Sequence, residues 1–236
     1  MENINTLAID IGHNVNFDDG AVGIRKEDEL NKLVGEALIN KFKSTNINVI
    51  NCTPYNAVSL HDSLNQRTVA ANKGKADLFI SIHHNSGGGR GSEALCLTGG
   101  IAEKVGNSVL KEISSIGFYN RGVKDRRDLF VINQTIMPAL LIECAFCDSA
   151  SDMNGYNPES VANAIFKGIC NVFDIYSNEE EGFNENEVYY NVVKGDTLCK
   201  IASKFNTTVD RLVDLNGIKD KNMIYAGQEI RIKSIS

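Results

Sequence analysis

Leu78-Phe79-Ile80-Ser81-Ile82 runs directly into His83-His84-Asn85, so a short apolar segment ends in three polar residues. A segment of this length, rich in branched and aromatic side chains, is typical of a buried strand. The polar end of such a strand delivers its side chains to the rim of a sheet.

Two other apolar segments end in the same way. Residues 7–12 stop at His13, and residues 138–142 stop at Glu143. If the three strands lie parallel in one sheet, their carboxyl ends share an edge, which is where open α/β folds place their sites. We therefore expect two histidines and a glutamate to meet at this edge.

Helices alternate with these strands. Apolar residues at helical spacing predict a helix from Lys26 to Ser44. Projection at about 100° per residue places Glu27 within about 35° of the centre of its apolar face, so the Glu27 carboxylate is expected to point inward.

Further strands are predicted at 47–52, 92–97 and 128–132, and further helices at 64–73, 101–116 and 158–176. His61, in a predicted loop before the second helix, is expected to be a surface or capping residue and not a ligand. Repeated strand and helix indicate the α/β class.

Composition excludes some functions. The chain has 236 residues, 42% of them hydrophobic, and a net charge of −6, which argues against a nucleic-acid-binding surface. The amino terminus lacks the pattern of a signal peptide, and no run of about eighteen apolar residues predicts membrane insertion. We expect synthesis in the cytoplasm, with the six cysteines as free, mostly buried thiols.

A change of character marks the end of the first domain. Residues 177–187 are acidic and almost without apolar side chains, so they are predicted to be a linker between a domain over 1–176 and a second over 188–236. The second domain is predicted to contain a strand (189–193), two helices (196–205 and 208–215) and a closing strand (228–232). It is too small to be the catalytic domain.

The residues expected at the sheet edge suit a metal site. Catalytic zinc takes three nitrogen or oxygen ligands and leaves a fourth position for water. His13, Glu27 and His83 form such a set, and Glu143 is placed to move a proton. Spacing alone leaves open that these are only hydrogen-bonded rim residues, with Glu143 paired to Arg67. Cys144 and Cys147 form a CxxC pair but lack a second pair, so they are interpreted as buried thiols.

Six separated motifs resemble one family. They are Ile9 to His13, Gly20 to Glu27, Arg67 with Ala71-Asn72, Ser81 to Asn85, Gly91-Ser92-Glu93 and Pro138 to Phe146. In order and spacing they resemble the zinc-dependent N-acetylmuramoyl-L-alanine amidases of bacterial and phage cell-wall lysis, over residues 1–176. The resemblance implies a twisted mixed sheet flanked by helices and cleavage of the amide between the lactyl group of N-acetylmuramic acid and L-alanine.

The same resemblance assigns residues. It implies that His13, Glu27 and His83 bind Zn²⁺, that Glu143 is catalytic, and that His84 and Asn85 lie beside the substrate. His84 replaces a small residue of the family, so it could compete as a ligand or contact substrate. Neighbours on a strand point to opposite faces, so His83 and His84 are not expected to share one metal unless the chain turns between them.

The tail resembles the LysM family over its whole length after the linker. The match is carried by Tyr190 to Leu198, Phe205 to Val209, Leu215-Asn216 and Ile224 to Ile232. It implies a βααβ fold that binds N-acetylglucosamine-containing glycan. The implied groove residues are Gly195, Asp196, Thr197 and Leu198, with Met223 and Ile224 opposite them. Cys199 stands where the family often has an aromatic residue.

Together these features predict a two-domain peptidoglycan hydrolase, an endolysin or autolysin that acts on the cell wall after release. Two alternatives stay open. One is a zinc peptidase that cuts within the stem peptide, because the same metal and carboxylate serve either amide. The other is a non-catalytic wall-binding protein.

Overall fold

The structure is a computed structural model that describes residues 4–175, 187–193, 195–205, 207–218, 220–221, 223–225 and 227–234. The chain forms two compact units, a larger amino-terminal one and a smaller carboxyl-terminal one. The predicted linker lies outside the described residues except at Glu187, where the first strand of the smaller unit begins. The domain boundaries themselves stay a prediction.

A six-stranded sheet organises the larger unit. Its strands, numbered β1 to β6 in chain order, span Thr6–Ile11, Asn48–Asn51, Leu78–Asn85, Ser92–Cys96, Asn120–Asp125 and Ala139–Phe146. They lie in the order β2-β1-β3-β6-β4-β5. Strands β2, β1, β3 and β6 are parallel, β4 is antiparallel to β6, and β5 is parallel to β4. The predicted mixed sheet is therefore confirmed, and the three strands expected to share an edge are adjacent.

Helices cover both faces of this sheet because its strands bury alternate side chains on each side. In chain order, α1 to α6 span Glu27–Phe42, Leu60–Lys73, Ile101–Ser115, Phe130–Asn133, Ala150–Met153 and Pro158–Phe173. One core cluster joins Ile80 and Ile82 to α1, α3 and α6. The other joins Phe79 and Leu141 to α2 and α4.

Two local predictions are wrong. The strand expected at 128–132 is helix α4, because Val131 and Ile132 bury themselves in one turn against the second core. The strand is β5 instead, a polar edge strand with no apolar alternation to reveal it. His61 lies inside α2 rather than before it, since Ser59 caps that helix by accepting a hydrogen bond from the Asp62 amide. His61 is exposed, as expected.

The smaller unit has the predicted order of strand, two helices and strand. Strand β7 (Glu187–Asn191) pairs antiparallel with β8 (Glu229–Ser234), and α7 (Leu198–Lys204) and α8 (Val209–Asn216) pack beside them. Its core is formed by Val192, Leu198, Ile201, Ala202, Leu212, Ile230 and Ile232. Among the described residues, no helix is both long and apolar enough to cross a membrane.

Candidate functional site

Three donor atoms meet at the carboxyl edge of the sheet. His13 follows β1, Glu27 is the first residue of α1, and His83 lies near the end of β3. Oε1 of Glu27 lies 3.3 Å from Nε2 of His13 and 3.2 Å from Nδ1 of His83. One donor atom from each residue lies within 4.8 Å of the others. The predicted convergence of two histidines and a carboxylate is therefore present.

Gly12 makes this approach possible. A Cβ atom at that position would lie 2.2 Å from Nε2 of His83. The backbone before His13 can therefore pass close to the imidazole of β3 only because it carries no side chain.

The donor set fits zinc. Two imidazole nitrogens and one carboxylate oxygen are ligand types of catalytic zinc, which keeps one position open. Burial opposes protonation of His13, but hydrogen bonds to Asp18 and Glu27 outweigh it and raise the pKa of His13 to about 10. Burial likewise opposes ionisation of Glu27, yet hydrogen bonds from both histidines hold its pKa well below the usual range. In the metal-free chain a proton thus supplies the positive charge that a metal cation would bring.

Asp18 fixes the orientation of His13 and was missed in the sequence. Its Oδ1 accepts from Nδ1 of His13 at 2.8 Å, while Nε2 of the protonated ring faces Oε1 of Glu27. The Asp18 contact keeps a proton on Nδ1, so Nε2 is the nitrogen that can lose its proton and bind a metal. Ser63 donates to the other Asp18 oxygen at 2.7 Å. The position of Asp18 in an irregular loop explains why no periodic pattern identified it.

Arg67 anchors this edge from beneath. Its guanidinium pairs with Asp10 at 2.5 Å and with Asp18 at 3.2 Å, and it donates to the His13 carbonyl at 2.6 Å. The Arg67 side chain is only 1% exposed. It does not pair with Glu143, so that alternative is excluded.

Glu143 lies beside the three donors. Its register partner on β3 is His83 and its register partner on β4 is Glu93. Among the described residues, the buried Oε2 atom of Glu143 has no hydrogen-bond partner. Burial raises the pKa of Glu143 to about 7. This carboxyl can therefore both accept and release a proton near neutral pH.

His84 does not contact substrate, so that prediction is wrong. The pleat turns its side chain to the face opposite His83, where it is buried against α1 and Tyr156. Its Nδ1 donates to Oδ1 of Asn31 at 2.7 Å, and the Tyr156 hydroxyl lies 2.6 Å from its Nε2. Burial lowers the pKa of His84 to about 3. His84 is thus a neutral structural residue and not a fourth ligand.

Two other predictions concern residues near this edge. Asn85 is half-buried at the end of β3 and donates to Glu93 at 3.2 Å. Its contact with substrate stays a prediction. Cys144 and Cys147 are buried free thiols, as interpreted from the sequence.

The smaller unit holds the predicted glycan residues in two neighbouring segments. Val192 donates to the Gln228 carbonyl, and Gly227 donates to the Val192 carbonyl, each at 2.8 Å. The loop of residues 195–198 and the segment of residues 223–225 are thereby attached to one strand end. Gly195 and Met223 are exposed and Ile224 is half-buried. Tyr225, which was not predicted, is also exposed.

Other members of this set have structural roles. Thr197 caps α7 by accepting from the Lys200 amide, and Asp196 accepts from the Val193 amide and the Tyr190 hydroxyl. Leu198 is only 2% exposed and belongs to the core of the smaller unit. Its predicted contact with glycan is therefore wrong, because the first turn of α7 points it inward.

Comparison with known proteins agrees with this geometry. Residues 7–173 match the family described as N-acetylmuramoyl-L-alanine amidase, and residues 190–233 match the LysM domain. An uncharacterized 38.4 kDa protein of Clostridium perfringens is 31% identical over 96% of this chain and 68% of its own length. The sporulation-specific N-acetylmuramoyl-L-alanine amidase of Bacillus subtilis (strain 168) is 38% identical over 46% of this chain and 44% of its own.

Solved structures show the same similarity. The catalytic domain of CwlV, an N-acetylmuramoyl-L-alanine amidase from Bacillus (Paenibacillus) polymyxa var. colistinus, is 29% identical with a TM-score of 0.63, over 73% of this chain and 99% of that one. An N-acetylmuramoyl-L-alanine amidase from Clostridium difficile 630 is 26% identical with a TM-score of 0.64, over 73% and 98%.

Proposed function

The chain belongs to the N-acetylmuramoyl-L-alanine amidase family, and on that premise we propose that it is a zinc-dependent enzyme in which His13, Glu27 and His83 bind the metal and Glu143 moves the proton. It is a peptidoglycan hydrolase with a LysM domain. The observation that supports these roles is that Oε2 of Glu143, beside the three donors, has no hydrogen-bond partner in the part of the chain that the structure describes.

The roles divide between the metal and the chain. Zinc, when bound, lowers the pKa of a water molecule toward about 7 and polarises a carbonyl oxygen. Glu143 accepts the proton of the attacking water and delivers it to the departing amino group of L-alanine. Its raised pKa suits both steps, because a carboxyl near neutrality releases what it has accepted. Asp18 and Arg67 hold the His13 ring in the tautomer that leaves Nε2 free to bind metal.

The LysM domain concentrates the enzyme on the wall. We assign the glycan contact to Gly195, Asp196, Thr197, Met223 and Ile224, with Tyr225 added from its exposure. Holding the amidase near neighbouring stem peptides raises their effective concentration and not the intrinsic rate.

Digestion of purified peptidoglycan tests this function. Wild type is expected to release new alanine amino termini, without new reducing ends, and a chelator is expected to stop the reaction until Zn²⁺ is restored. A different new amino-terminal residue would identify the stem-peptide peptidase instead. Sedimentation with the wall without cleavage, in a zinc-loaded preparation, would favour the non-catalytic wall-binding protein.

A further inference from the structure

A row of side chains crosses one face of the sheet from the metal site to its edge. His83 on β3, Glu143 on β6 and Glu93 on β4 are successive register partners, so they point to the same face. On β5, Lys124 is the register partner of Leu95, which lies on the same face as Glu93. The row therefore leads from the metal ligands, through the catalytic carboxyl, to β5.

Glu93 gathers two cations at the end of this row. Its Oε2 accepts from Nε of Arg121 at 2.6 Å and from Nζ of Lys124 at 2.5 Å. Burial opposes ionisation of Glu93, but these two hydrogen bonds outweigh it and lower its pKa. One carboxylate and two cations leave a net charge of +1 beside Glu143.

The two cations face solvent while Glu93 does not. The side chains of Arg121 and Lys124 are 31% and 43% exposed, whereas that of Glu93 is 9% exposed. An ammonium has three donors, and among the described residues Nζ of Lys124 uses one of them, on Glu93. Both cations are therefore fixed on one side and available to a ligand on the other.

Packing holds Arg121 in place without covering it. Its guanidinium lies 5.0 Å from the centroid of the Phe146 ring. The ring fits there because residue 89 is glycine, where a Cβ would lie 2.4 Å from Phe146. Arg121 is thus oriented before any ligand arrives, which lowers the entropic cost of binding one.

We propose that Arg121 and Lys124 form an anion subsite that binds a carboxylate of the stem peptide and so determines which peptidoglycan is cut; this rests on the proposed amidase function. Two strand spacings separate β6 from β5, about 10 Å. An extended peptide covers that distance in about three residues. In the substrate the muramic acid carboxyl is consumed in the scissile amide, so the carboxylate must come from the peptide.

Two carboxylates of a stem peptide lie within this reach. One is the α-carboxyl of D-glutamate at the second residue, and the other is the side-chain carboxyl of a diaminopimelate at the third. Both present the same chemistry to an arginine and a lysine. Four synthetic muramoyl tripeptide amides separate them, with D-glutamate or D-isoglutamine second and diaminopimelate or lysine third.

The test measures kcat and KM for these four substrates with the full chain. Arg121→Gln and Lys124→Gln each remove one cation of the subsite. Arg127→Gln and Lys111→Gln remove the same charges elsewhere, from an exposed pair with Asp125 and from the surface of α3. Thermal melting of all four variants checks that each of them folds.

Each subsite variant is expected to lose about tenfold in kcat/KM, mainly through KM, for substrates that carry the recognised carboxylate. For substrates that carry the corresponding amide or lysine, kcat/KM of the subsite variants should fall less than about twofold. The control variants Arg127→Gln and Lys111→Gln should match wild type on all four substrates. If the loss in kcat/KM depends only on the second residue of the peptide, or only on the third, it identifies which carboxylate the subsite binds. Equal losses on all four substrates, or none, would overturn the subsite.

The two proposals fail differently. If wild type releases no alanine amino terminus from any of the four substrates, the amidase function itself fails. Calorimetric binding of the same substrates to wild type and to the two subsite variants then decides the anion subsite. Affinities that do not depend on the carboxylate would contradict it.

Discussion

The metal edge of the larger unit and the glycan-binding segments of the smaller unit present their residues in different ways. At the metal edge, His13 and His83 both donate to Glu27, and His13 also donates to buried Asp18. In the smaller unit the exposed residues Met223 and Tyr225 carry the expected contact. A reaction needs side chains fixed before substrate arrives, whereas retention on a repeated glycan needs accessible surface. Substitutions in the two regions should therefore have effects of different size and kind.

The largest effect is expected at Glu143. Replacement by glutamine keeps the shape but removes the proton acceptor, so kcat should fall by about 10²- to 10⁴-fold. Binding of zinc and of wall should persist. The assay is release of alanine amino termini from a muramoyl peptide, with Glu36→Gln on the exposed face of α1 as control. Activity within tenfold of wild type would contradict the assigned role.

Next is Arg67, which supports the edge from within. Arg67→Met leaves Asp10 and Asp18 buried without their counter-charge, so the free energy of unfolding of the larger unit should fall by about 3–5 kcal/mol. Arg127→Met removes only an exposed surface pair, so its effect on the free energy of unfolding should be much smaller. Denaturant unfolding of the two variants compares them. Equal losses would show that the buried network is not what stabilises this edge.

Asp18 tests whether the orientation of His13 matters to the metal. Asp18→Asn weakens the hydrogen bond that fixes the ring, so zinc affinity should drop about 10- to 100-fold. The neighbouring Asp19 is exposed, and Asp19→Asn removes the same charge without touching His13. Competition with a chromogenic chelator measures the zinc affinity of both variants. A parallel drop in both variants would indicate a general charge effect instead.

Proton release gives a smaller and graded effect. With a pKa of about 10, His13 is protonated at pH 7 in the metal-free chain and must lose that proton to bind zinc. Apparent affinity should therefore rise about tenfold per pH unit between pH 6 and 8. Calorimetry in buffers of different ionisation enthalpy counts the protons released. An affinity independent of pH over that range would refute this assignment.

The raised pKa of His13 also affects stability. The protonated ring stabilises the metal-free fold fully below the unfolded value of 6.5, and this stabilisation is lost as the pH rises through about 10.

The smallest effect belongs to the smaller unit. In a Glu143→Gln background, Tyr225→Ala should weaken binding to purified wall by about two- to tenfold, as expected for loss of one aromatic contact. Cys199→Ala, also exposed, should leave binding unchanged. Sedimentation with wall at several protein concentrations gives the affinities. Soluble muramoyl peptides should bind both variants equally.

Much of the metal edge could be predicted because it is formed by strands and helices, which have recognisable periodic patterns of apolar residues. The polar ends of β1, β3 and β6 and the helical position of Glu27 follow from periodic patterns, and the structure places them together. The resemblances to the amidase family and to the LysM family then implied roles for individual residues that spacing alone left open.

What could not be predicted depends on irregular or polar segments. Asp18 lies in a loop, and β5 has no apolar alternation, so neither the His13 partner nor the Glu93–Arg121–Lys124 cluster could be found. The pleat predicted that His83 and His84 face opposite ways, but only the contacts with Asn31 of α1 and with Tyr156 show that His84 is covered. Leu198 was assigned to the groove by the LysM resemblance, and the predicted helix over 196–205 did not show that its first turn buries this side chain.

The metal centre is tested most directly by diffraction from crystals of the full chain grown with Zn²⁺, with data collected on both sides of the zinc absorption edge. We expect one anomalous peak about 2.0–2.2 Å from Nε2 of His13, Nδ1 of His83 and a carboxylate oxygen of Glu27. Glu143 should lie beside the remaining open position. A peak held by other residues, or none at this edge, would contradict the proposed metal site.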